Sequence, residues 1–68
     1  MIQVYYKDIR DENRIWVQTK RGDGLRIYLW HYRIAPSTTW YYYGSVYTDG
    51  PFEFTKKMTE EELMLEML

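Results

Sequence analysis

His31 is the only imidazole in the chain, cysteine is absent, and most of the ten carboxylates fall in turns or at the start of a C-terminal helix. An enzyme needs an acid, a base or a nucleophile that converge on one point. This inventory offers no such set, so the chain reads as a non-enzyme. A metal site would need a second His or a Cys beside His31, and none exists, so neither metal nor cofactor is expected. Glu60, Glu61, Glu62 and Glu66 read as a solvated helix face rather than a cation site. Arg21, Gly22 and Asp23 spell an adhesion tripeptide, but a hairpin turn already requires those glycines. The recognition chemistry lies in the rings: eight Tyr, three Trp and two Phe in 68 residues. Flat rings interleaved with Lys and Arg either bury well against another protein or stack on bases while the cations neutralise phosphate.

These rings are positioned by strands. Alternation with period two, rich in β-branched and aromatic residues, dominates residues 2–47 and predicts antiparallel strands. The first is Ile2 to Lys7, the second Arg14 to Lys20 after a polar turn from Asp8 to Asn13, and the third Leu25 to Ile34. Pro36, Ser37, Thr38 and Thr39 form a loop. A fourth strand runs from Trp40 to about Thr48, where Gly44 invites a bulge. After a turn at Asp49, Gly50 and Pro51, a short last strand holds Phe52 and Phe54. Thr59 and Glu62 then form a capping box, with Met58 and Leu63 as its hydrophobic staple, so a helix begins at Glu60. The expected fold class is α+β: one small domain over residues 1–68, with a meander of four to five antiparallel strands (about 2–54) and one short helix (about 60–68) packed on one face.

The hairpin turns set the register. A three-residue bend at Gly22, Asp23 and Gly24 pairs Val17 with Leu29 and Trp16 with Trp30. Pairing Lys7 with Arg14 puts Val4 opposite Val17 and Tyr5 opposite Trp16. One face then carries Ile2, Val4, Tyr6, Ile15, Val17, Leu25, Ile27 and Leu29 beneath the helix, with His31 on the same side. The other carries Tyr5, Trp16, Lys20, Arg26, Tyr28, Trp30 and Tyr32, joined by Tyr43, and is left uncovered. Those eight are the candidate binding residues, with Trp16 and Trp30 as anchors and Lys20 and Arg26 as electrostatic selectors.

Residues 1–57 hold nine basic and six acidic side chains, whereas 58–68 hold four acids and no base. The sheet is therefore the cationic half. Trp16, Gly24, Arg26, Tyr28, His31, Thr39 and Trp40 resemble the spacing of a WW domain, but the tandem aromatic and the proline after the second Trp are missing, and the resemblance is set aside. The element order is similar to that of a dimeric single-strand DNA-binding fold, an analogy of architecture alone. A small chain with one short helix gains core by self-association. The expected partner is thus protein, as a homodimer or as an inhibitor-type contact with another protein, such as phages encode. Single-stranded nucleic acid is the alternative. No apolar run approaches the roughly 18 residues of a membrane helix, and no targeting signal is visible, so a soluble, cytoplasmic chain without a membrane partner is expected.

Overall fold

Branched and aromatic side chains lose little freedom on a pleated surface and pack across it, which is why the alternating segments become strands. A computed structural model describes residues 2–21, 26–48 and 50–67. Its elements are β1 (Ile2–Asp8), β2 (Arg14–Lys20), β3 (Tyr28–Ile34), β4 (Tyr41–Val46), β5 (Thr55–Lys57) and α1 (Glu60–Met67). The sheet is antiparallel throughout, in the order β4-β3-β2-β1-β5. The α+β class and the antiparallel meander are as expected, with β1 to β4 consecutive and β5 added beside β1. The third strand starts at Tyr28 rather than Leu25. Phe52 and Phe54 precede the last strand instead of forming it.

The expected registers are corrected. Tyr6 faces Trp16 and Tyr5 faces Val17 across β1 and β2, one residue away from the expected pairing. The cause is Asp8. It belongs to the strand and is buried, so the turn closes later, where the Asn13 amide donates to Asp11 Oδ1 at 3.0 Å and the Arg14 amide to the Asp11 carbonyl at 3.0 Å. A one-residue slip exchanges the two faces of β1 relative to β2. Across β2 and β3, Trp16 faces Tyr32, Val17 faces His31 and Gln18 faces Trp30, a shift of two residues that keeps both indoles on one side. Lys20 pairs with Tyr28, which is incompatible with the register of a three-residue bend. The bend itself, Gly22 to Gly24, lies outside the described residues.

One face of the sheet therefore gathers Val4, Tyr6, Trp16, Trp30, Tyr32 and Val46. β4 and β5 occupy opposite edges, so the connection between them crosses the sheet, and it lays Phe52 and Phe54 on this face. A tight turn fixes the two rings: the Thr55 amide donates to the Phe52 carbonyl at 2.9 Å and the Thr55 hydroxyl to the same oxygen at 2.7 Å. The Ile9 amide donates to the Phe54 carbonyl at 2.8 Å, anchoring the far end. Trp16 is 1 % exposed and Trp30 0 %. The centre of this small protein is an aromatic sandwich.

The helix takes the other face. The Thr59 amide donates to Glu62 Oε1 and the Glu62 amide to Thr59 Oγ1, each at 3.1 Å, a reciprocal capping box. The Met58 amide donates to the Tyr5 carbonyl at 3.0 Å, and the Met58 side chain is buried. Glu62 is paired with Lys7 and Glu66 approaches Arg33 at 4.0 Å, so α1 lies over the end of the sheet where Ile15 is buried. The Lys7 hydrogen bond and the Thr59 amide hold the Glu62 carboxyl down at about 2, and Glu62 in turn raises the Lys7 ammonium above its ordinary value.

Candidate functional site

The uncovered aromatic face expected from the sequence does not form, because the register change and the crossing segment convert it into core. Trp16 lies against five rings: Tyr43 at 4.9 Å between centroids, Tyr32 at 5.4 Å, Phe52 and Phe54 at 5.8 Å, and Trp30 at 6.3 Å. Trp30 is flanked by Phe52 at 4.5 Å and Tyr6 at 5.4 Å. Such pairs contribute about 0.5–1.5 kcal/mol each beyond the area they bury, so these two indoles hold the fold and present no open ring. Tyr28 and Tyr32 are half-buried on the same face, and Lys20 and Arg26 are exposed near its end. Tyr5 is on the opposite face, opposite Val17. Of the eight candidates only Tyr43, Lys20 and Arg26 are exposed, and they are not brought together with Tyr5.

A buried carboxylate helps to fix Trp16. The indole Nε1 donates to Asp8 Oδ2 at 3.1 Å, and Asp8 Oδ1 accepts the Arg10 amide at 2.8 Å and Arg10 Nε at 3.4 Å. The Arg10 guanidinium lies 3.7 Å from the centre of the Phe54 ring. Burial pushes the Asp8 carboxyl up, but the indole, the amide and the guanidinium together outweigh it and hold the group below its ordinary value. Trp30 Nε1, by contrast, is buried without a hydrogen-bond partner.

Among the described residues two surfaces stand open. The first is the edge strand β4, which is hydrogen-bonded to β3 alone. Its register shifts opposite Trp30 and His31, the bulge that Gly44 suggested. Tyr41 then packs on Tyr32 with centroids 5.7 Å apart, Tyr43 turns onto Trp16, and Tyr42 meets His31 on the other face at 5.4 Å. Tyr41, Tyr42 and Tyr43 are each at least half exposed, and Tyr47 just beyond is 80 % exposed.

The second is a groove of about 580 Å³ on the helix-bearing face, lined by Gln3, Tyr5, Val17, Thr19, Arg21, Leu29, His31 and Trp40. Trp40, from the loop before β4, approaches Tyr5 with ring centroids 6.2 Å apart at 57°. The Arg33 guanidinium is 5.3 Å from the Trp40 ring. Of this lining the sequence singled out only Tyr5. The one-residue slip of β1 brings Gln3 and Tyr5 to the face of Val17 and Thr19, which no spacing pattern reveals.

Among the described residues no group of three or more His, Cys, Asp or Glu comes together as a metal site, and no helix is long and apolar enough to cross a membrane. In comparisons with known proteins the chain matches no family model, no curated protein and no solved structure.

Proposed function

We propose that this chain is a non-enzymatic binding module that works by protein–protein association, and that its contact surface is the β4 edge. The observation that carries the reading is the contrast between the two edges of the sheet. β5 is three residues long and ends in the exposed Lys56 and Lys57, the usual devices against edge-to-edge pairing. β4 is six residues long, has no charged side chain, and carries three exposed tyrosines. An edge of that kind adds a strand through its unpaired backbone groups.

The occupant we favour is a second copy, paired antiparallel through β4 about a two-fold axis, which makes the same patch serve both partners. Stable association buries roughly 1,200 Å² or more, beyond what one strand edge supplies. Tyr41, Tyr42 and Tyr47 add the remainder, since an aromatic side chain contributes up to roughly 150–250 Å². An extended segment of another protein uses the same edge chemistry and is the inhibitor-type variant of this reading.

Sedimentation velocity over a concentration series tests it. A salt-insensitive dimer is expected, lost in Ser45→Lys and in Tyr42→Lys with the melting temperature of dilute protein unchanged. A wild type that remains monomeric, or a dimer that survives both substitutions, removes self-association. Tryptophan quenching by poly-dT that fades with added salt instead favours the alternative, single-stranded nucleic-acid binding.

A further inference from the structure

We draw no further inference here: the strongest candidate, the groove on the helix-bearing face between Trp40 and the floor of Val17 and Leu29, carries nothing, because Arg21 on its rim already holds a partner, Arg33 links its Trp40 wall to Glu66, and nothing in the structure shows what covers it.

Discussion

The two buried tryptophans should respond differently to the same substitution. Trp16→Phe removes an indole N–H that donates to the buried Asp8 carboxylate, whereas Trp30→Phe removes one that has no partner. Both variants lose a similar amount of ring burial. Beyond that common loss, Trp16→Phe forfeits a hydrogen bond to a charged group, about 1.5–3 kcal/mol, and Trp30→Phe recovers the burial cost of an unpaired donor, about 1–3 kcal/mol. Trp16→Phe should therefore be less stable than Trp30→Phe by about 3 kcal/mol or more. Urea unfolding followed by far-UV circular dichroism measures the difference, and pH gives it a signature. The Asp8 carboxyl in the fold is held below its ordinary value of 3.8, so it stabilises the protein above that value, and the contribution is lost as pH falls through the folded value. Without the indole, burial is opposed by Arg10 alone and the carboxyl moves up. The deficit of Trp16→Phe should then be widest at neutral pH and narrow in acid, while that of Trp30→Phe stays flat. Equal losses in the two variants, or a Trp16→Phe deficit independent of pH, would refute the assignment of Asp8 as the partner that makes Trp16 special.

Three further outcomes are expected. Thr59→Ala removes the cap of α1 and should cost about 1 kcal/mol, read by thermal melting together with a loss of helical ellipticity. Glu62, held at about 2 against an ordinary 4.5, stabilises above pH 4.5 and loses that contribution as pH falls toward 2; Glu62→Gln should flatten the stability profile across that window, as acid titration of the melting temperature would show. Gly44→Ala should be neutral or stabilising by up to about 1 kcal/mol, because an added Cβ meets no atom within 4 Å; a marked loss in urea unfolding would show that the bulge needs glycine after all.

Local features were legible in the residues themselves. The capping box of Thr59 and Glu62, the alternating segments of β1 and β2, and the bulge at Gly44 follow from interactions within a few positions, and the structure contains all of them. Tyr43 turns toward the Trp16 face as expected, and beyond the bulge Val46 lies on that face as well. The faces were harder. Asp8 reads as a turn residue by type, yet the Trp16 indole and the amide and guanidinium of Arg10 satisfy it inside, and that single displacement reverses β1. The fate of Trp16 and Trp30 depended on Phe52 and Phe54, two rings that resemble an ordinary short strand until the edge to which β5 is added is known. Long-range choices of this kind leave no periodic trace.

The path of the chain between its two outer strands also orders events during synthesis. Domains are made from the N-terminus onward, so the four strands of the meander leave the ribosome before the phenylalanines that close over them. In that interval the indoles of Trp16 and Trp30 lack their lid, and a product cut after Val46 would keep every hairpin yet expose its most apolar rings. Addition of the crossing segment that carries Phe52 and Phe54 is thus what covers the two indoles of a sticky nascent ribbon.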